Sequence, residues 1–341
     1  MQHMAARRAL SRSTPRSAGT LLLRACLITL LACFYIDGYL RDSTVPELLL
    51  YSVIAVPTAV GLLATTYGLD PVATPRAADV LTTMVGATLV AMLIRGPGLT
   101  PALAVAFVGT AAGLIGLSHV HGATRIPAPA LCGAMVGMTS SLVFSRLWWV
   151  VAAAAAAGVF FSLLRSTWEG VGGKVGLLGF AGVFVISRIA EITGHLGAGP
   201  APFGPGTSSK VIFVVVPVVA AMLTYQVRRQ WGVSATLACS AVALLSALTI
   251  EAVRLDARIE TSVLSLVALG GAIVGMTAPT FVDGRPWLLI AAAMLFALLQ
   301  GGFEPTLAGM GGDFGATAVI AVLAVIGAEV ILVHLRPASH V

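Results

Sequence analysis

The sequence predicts an all-α polytopic membrane protein of about twelve transmembrane helices, in which two five-helix repeats of inverted topology follow two leading helices. Composition, the spacing of apolar stretches and a set of motifs that occurs twice all predict it. Hydrophobic residues make up 58% of the 341 and charged residues 10%, where a soluble domain carries roughly 25% charged residues. Water would have to be kept from all that apolar surface, whereas lipid would not. The 37 glycines suit the same solvent, because small residues let membrane helices approach closely.

The repeat lies in three blocks. Gly133-Ala134-Met135-Val136-Gly137-Met138-Thr139 returns as Gly271-Ala272-Ile273-Val274-Gly275-Met276-Thr277. Arg146-Leu147-Trp148 returns as Arg285-Pro286-Trp287, and Gly170-Val171-Gly172-Gly173-Lys174-Val175-Gly176 as Gly309-Met310-Gly311-Gly312-Asp313-Phe314-Gly315. The offset is 138 for the first block and 139 for the other two. Ala190-Glu191 answers Ala328-Glu329 at 138. Three blocks in one order at one spacing indicate a duplicated membrane unit, a common way of building transporters.

The elements follow in order. Residues 1–20 are basic, with Arg7, Arg8, Arg12 and Arg16, and no small-residue cleavage pattern follows the first apolar stretch, so a cytoplasmic N-terminus rather than a cleaved signal is expected. A crossing needs ~20 apolar residues. Two leading spans, Leu21–Tyr39 and Leu48–Gly68, fill 21–70. Repeat 1 occupies 78–195, with spans at Ala78–Ile94, Pro101–Ser118, Ala128–Phe144, Leu147–Leu164 and Val175–Ile192. A Gly/Pro-rich linker covers 196–208. Repeat 2 occupies 209–335, with spans at Ser209–Val227, Val233–Val253, Ser262–Val282, Pro286–Leu299 and Phe314–Leu335.

Positive residues stay cytoplasmic. With both termini inside, thirteen Lys and Arg fall on the inner side and seven on the outer. A bacterial-type plasma membrane location with cytoplasmic termini follows, and the net charge of +6 then reports topology rather than nucleic-acid binding. A shift of five spans is odd, so the copies should be inverted, with Lys174 towards the cytoplasm and Asp313 outside. Val56-Pro57 against Val216-Pro217 would instead imply a shift of six, a weaker match than three blocks.

Gly133 and Gly137, like Gly271 and Gly275, are four apart and share a helix face. That spacing serves close helix packing. It also allows a helix that breaks at Met138-Thr139-Ser140-Ser141 and at Met276-Thr277-Ala278-Pro279, where unwound backbone and hydroxyls line a site. Pro279 favours a break in the second copy. Gly137, Thr139, Ser140, Ser141, Gly275 and Thr277 are therefore expected to bind substrate. The Gly-Gly blocks each precede an apolar helix, so Gly173, Lys174, Gly312 and Asp313 join that set. Asp313 suits a helix start, whereas Lys174 there is either an orientation anchor or, with the helix amides, an anion holder.

Glu169, Glu191, Glu304 and Glu329 are the expected coupling residues, because a carboxylate entering a membrane is a relay by default. Arg146-Leu147-Trp148-Trp149 and Arg285-Pro286-Trp287 read as interface anchors. His119 and His121 flank a loop and lack a third metal ligand, and Cys26, Cys33, Cys132 and Cys239 lie in apolar stretches as packing residues, so no metal and no disulfide framework is expected. Asp313-Phe314-Gly315-Ala316-Thr317 resembles, over five residues, the flavin-attachment motif in membrane subunits of ion-pumping NADH:quinone oxidoreductases. The Asp-to-Thr spacing is too short for it, so no cofactor is expected.

No Walker motif is present, so ATP hydrolysis is not expected. The reading is a secondary active transporter, not an enzyme, for a small polar or anionic solute, coupled to an ion, with its site between the repeats. A passive channel of the same architecture and a non-catalytic or lipid-processing membrane subunit are the alternatives. The expected partners are the lipid bilayer and a small-molecule or ion substrate, with no nucleic acid; a homo-oligomer is admissible.

Overall fold

A computed structural model describes residues 28, 53–62, 75–118, 122–165, 170–200, 210–253, 261–282, 285–307 and 309–335. Among them every long element is a helix and none is a strand. In chain order the helices are α1 (Val53–Leu62), α2 (Ala77–Arg95), α3 (Pro101–Gly116), α4 (Pro127–Gly137), α5 (Leu147–Leu164), α6 (Lys174–Ile192), α7 (Lys210–Trp231), α8 (Ala235–Val253), α9 (Thr261–Gly275), α10 (Trp287–Leu307) and α11 (Asp313–Leu335). A 3-10 turn, Ala123–Arg125, precedes α4, and a four-residue helix, Pro279–Val282, follows α9.

The chain is an α-helical membrane protein. Six helices are long and apolar enough to cross a membrane among the described residues: α2, α5, α6, α7 from Val211, α8 and α11. The first leading span lies outside the described residues apart from Ile28, and of the second only α1 is described. Pro101–Gly116 and Thr261–Gly275 are shorter apolar helices. The stretch Ala128–Phe144, read as one span, forms a helix only to Gly137, and Ser262–Val282 only to Gly275. Met138-Thr139-Ser140-Ser141 and Met276-Thr277-Ala278 follow the two glycines outside the helices.

The chain forms two compact units. One comprises Pro75–Ser162 and Gly170–Val322; the other comprises Met1–Thr74, Leu163–Glu169 and Leu323–Val341. In the first, α2 packs on α4, α7 on α9, α3 on α8, α8 on α9, and α7 on α10. On α2 the buried face is Asp79, Thr83, Gly86, Ala87, Val90 and Ala91, while Leu81, Val85, Leu89 and Met92 are exposed. On α7 the exposed stripe is Val211, Val215, Val219 and Leu223, over buried Ala220, Ala221 and Thr224. Small residues face the interior and large apolar ones face out, the arrangement for lipid rather than water. Helix hydroxyls are satisfied internally: Thr82, Thr83, Thr88 and Thr249 each donate to the carbonyl four residues back at 2.7–2.8 Å.

In the other unit, α1 meets the C-terminal part of α11 through paired glycines. A Cβ on Gly61 would strike the Leu323 carbonyl, and one on Gly327 would strike the Pro57 carbonyl. Glycine here sets how closely the two helices approach.

Candidate functional site: a crossing of four helix ends

Both glycine pairs of the first repeated block lie against the first helix of their own copy. A Cβ at Gly133 would collide with the Thr83 carbonyl, and one at Gly137 with that of Ala87. In the second copy, Gly271 meets the Pro217 carbonyl and Gly275 that of Ala221. The matching partners, Thr83 with Pro217 and Ala87 with Ala221, stand 134 residues apart. Pro217 thus lies under Gly271 as Thr83 lies under Gly133, so it matches Thr83 in position rather than Pro57.

Beyond Gly137 and Gly275 the helices stop, and the chain ends of the two copies are exchanged. Ser140 N–H donates to the Gly309 carbonyl at 2.9 Å, and Ala278 N–H donates to the Gly170 carbonyl at 2.7 Å. Ser140 and Ala278 are equivalent by the offset of 138, and Gly170 and Gly309 by 139. Gly311 N–H also donates to Thr139 Oγ1 at 3.1 Å, while that hydroxyl donates to the Val136 carbonyl at 2.6 Å. Thr277 donates likewise to Val274 O at 2.7 Å. Room for a Cβ is missing on both loops: at Gly311 it would lie 2.8 Å from Val136 O, and at Gly172 2.7 Å from Val274 O.

The negative end of α4 therefore abuts the loop that opens α11, and the negative end of α9 abuts the loop that opens α6. Each pairing sets carbonyls of a helix C-terminus beside the positive start of another helix, which the helix macrodipoles favour. This also changes the reading of Lys174. Two residues before it, Gly172 packs on the terminal carbonyls of α9, so the positive charge at the start of α6 has a negative helix end close by.

The two starting helices cross where they begin. Gly173 (φ 89°) and Gly312 (φ 88°) occupy the left-handed region, which lets the loop turn into the helix. A Cβ on Gly173 would lie 2.7 Å from Gly315 O and Val319 N; one on Gly312 would lie 2.6 Å from Gly176 O and strike Phe180 N. A Cβ on Gly176 would approach Gly315 Cα to 2.5 Å. Each contact has its counterpart in the other copy. Lys174 and Asp313 thus open helices that cross inside this unit. Asp313 is buried and Lys174 half-buried.

Two arginines close the broken ends. Arg95, the last residue of α2, donates from Nη2 to the Phe144 carbonyl at 2.8 Å. Arg228, in the last turn of α7, donates from Nη1 to the Met276 carbonyl at 2.8 Å. In each copy the first helix supplies the cation and the segment after the third helix supplies the carbonyl. Sequence reading counted both arginines for orientation only.

Of the other expected site residues, Thr139 and Thr277 are buried, Ser140 is half-buried and Ser141 exposed. The crossing thus brings Thr139, Ser140, Gly173, Thr277 and Gly312 to its contacts, while Gly137 and Gly275 lie against α2 and α7. Glu191 does not lie at the crossing. Glu191 is exposed in the last turn of α6 and pairs with Arg188 at 2.9 Å, instead of lying deep. Glu329 is half-buried in α11 in the other unit. Glu304 lies in the last turn of α10, and Glu169 falls outside the described residues.

Trp148 and Trp287 are exposed at the starts of α5 and α10, with Trp148 stacked on Trp149 at 3.7 Å. Cys132 and Cys239 are buried free thiols; His119, His121, Cys26 and Cys33 lie outside the described residues. Among the described residues no three His, Cys, Asp or Glu side chains come together as metal ligands. Thr317, in the flavin-like stretch, is buried and donates to the Asp313 carbonyl at 3.0 Å.

No protein family matches the chain, and no curated protein or solved structure is found to be similar to it.

Proposed function

We propose that the chain is a secondary active transporter for a small polar or anionic solute, coupled to an ion, with its site at the crossing of the two repeats. The supporting observation is the reciprocal exchange at the broken helices: Ser140 N–H to Gly309 O and Ala278 N–H to Gly170 O. Discontinuous helices whose ends meet near the middle of the bilayer are how transporters place polar backbone in a membrane. With 11 residues, α4 reaches only ~16 Å at 1.5 Å per residue, about half of a ~30 Å hydrocarbon core. In this reading the short helices α4 and α9 end inside the bilayer against the starts of α11 and α6, and the two five-helix copies run in opposite directions. The close glycine contacts at the crossing favour alternating access over a passive channel.

Purified protein in liposomes tests this with a panel of radiolabelled mono- and dicarboxylates under an imposed pH gradient. Uptake above equilibration that an uncoupler abolishes supports a transporter. Equilibration alone would make it a channel, and no flux of any panel member would leave a membrane subunit or enzyme.

A further inference from the structure

Asp79 and Asp313 are the buried acids among the described residues. Asp313 belongs to the crossing. Asp79 does not, and nothing in the repeat calls for it. It is the third residue of α2, on the face that packs against α4 and α5: Gly133 of α4 touches Thr83, and Gly158 of α5 touches Val80 and Thr83. Its Oδ2 is buried and accepts no hydrogen bond among the described residues.

The bland account is an acid in the first turn, favoured by the helix macrodipole. Such acids commonly face water, whereas Asp79 is 7% exposed. The helix start is tied down otherwise, by Arg76 N–H donating to Ser162 Oγ of α5 at 2.6 Å. One turn on, the Thr83 hydroxyl is committed to the Asp79 backbone carbonyl at 2.8 Å. The offset of 134 puts Phe213 at the matching place on α7, equally buried at 7%. The fold therefore accepts an apolar ring there, and the carboxyl is an addition made by one copy. A buried carboxylate oxygen without a donor is costly unless something binds it.

We infer that Asp79 binds the coupling ion, and that this ion is a proton; the inference rests on the transporter reading. A proton from water forms an O–H bond on Oδ2, leaving a neutral carboxyl in the α2–α5 contact. The bond breaks again, returning the proton to water, when that contact opens. A metal cation would ask for about six oxygens, and the hydroxyls of Thr83 and Ser162 are already engaged. The packed helices present no competing acid or base. α3 and α5 carry no ionisable side chain and α4 only Cys132; the flanking charges are Arg76, before α2, and Arg165, after α5.

The test needs no known substrate. Dicyclohexylcarbodiimide enters lipid and reacts with protonated carboxyls. Full-length protein in liposomes is treated across a pH series and mapped by peptide mass spectrometry, with exposed Glu191 as the internal reference. An adduct at Asp79 that declines with rising pH, relative to Glu191, is expected. Absence of the adduct at every pH, or a yield independent of pH, overturns the inference. Asp79→Asn keeps the volume of the side chain and should reduce gradient-driven carboxylate accumulation to the equilibration level, while Asp79→Glu restores labelling. Accumulation by Asp79→Asn at the wild-type level also overturns the inference. If the wild type moves no member of the panel, the transporter reading fails, and the labelling still decides Asp79 separately.

Discussion

At the scale of single residues, the crossing is a set of places where a methyl group has nowhere to go. Gly173 and Gly312 combine two demands, a left-handed backbone and contact with the other copy, and substitution can separate them. Gly232 is also left-handed (φ 64°), but nothing lies within reach of a Cβ there. Gly232→Ala should cost only the conformational term, about 1–2 kcal/mol. Gly173→Ala and Gly312→Ala should cost clearly more, because the added carbon meets backbone atoms that cannot rotate away. Thermal unfolding in detergent measures all three, and equal losses would mean that the loops do not touch as described. Gly301, inside α10 with open space around it, should behave oppositely: Gly301→Ala should gain about 0.5–1 kcal/mol from helix entropy. Arg228 offers a third residue-scale test. Its bond to the Met276 carbonyl is charge-assisted, and Arg228→Gln should cost about 1.5–3 kcal/mol by the same measurement.

At the scale of elements, the sequence was legible where a span was uninterrupted and misleading where it was not. Leu147–Leu164 was read to the residue, and α2, α6, α8 and α11 to within two residues at either end. Apolar length sets such helices, and apolar length is visible. The breaks after Gly137 and Gly275 were legible only as one of two readings, because the four-residue glycine spacing before Met138-Thr139-Ser140-Ser141 and Met276-Thr277-Ala278-Pro279 equally serves close packing. What ends α4 is a partner, the Gly309–Gly312 loop from far along the chain, and no local pattern announces it. The 134-residue equivalence of the first helices was also hidden. It rests on Val85 and Val219, Ala87 and Ala221, and Leu89 and Leu223, ordinary membrane residues without a motif. Only the backbone carbonyls under Gly133 and Gly271 reveal it. Asp79 escaped for the related reason that a lone acid near a span's start looks like a surface residue until its neighbours are known. The element-scale prediction follows from the same glycines. Gly137→Leu and Gly275→Leu each drive a side chain into the facing helix, at Ala87 and Val90 or at Ala221 and Thr224. Both should abolish transport and shift the protein towards aggregate in size-exclusion chromatography; normal elution with full flux in both would show that these contacts are dispensable.

At the scale of the whole molecule, the open question is whether the two copies face opposite ways, and the structure offers better reporters for it than the crossing itself. Lys174 and Asp313 lie at packed helix starts, so a reagent confined to water is poorly placed to reach either. The turns after α2 and α7 are equivalent by the 134 offset and well exposed: Gly98 and Gly232 are both left-handed in open space, and Pro97 and Trp231 both stand at the surface. If the copies are inverted, these two turns emerge on opposite sides of the membrane. Their flanking charge agrees, since Arg228 and Arg229 precede one turn and only Arg95 the other, and positive residues gather on the cytoplasmic side. Pro97→Cys and Trp231→Cys, each in a background with the four native cysteines replaced by alanine, should therefore react with a membrane-impermeant maleimide from opposite sides. Residue 231 is expected to react from the cytoplasm and residue 97 from outside. Labelling of both from one side would make the repeats parallel. The exchange between Ser140 and Gly309 and between Ala278 and Gly170 would then have to be explained without a two-fold axis in the membrane plane, and the case for alternating access would lose its symmetry argument.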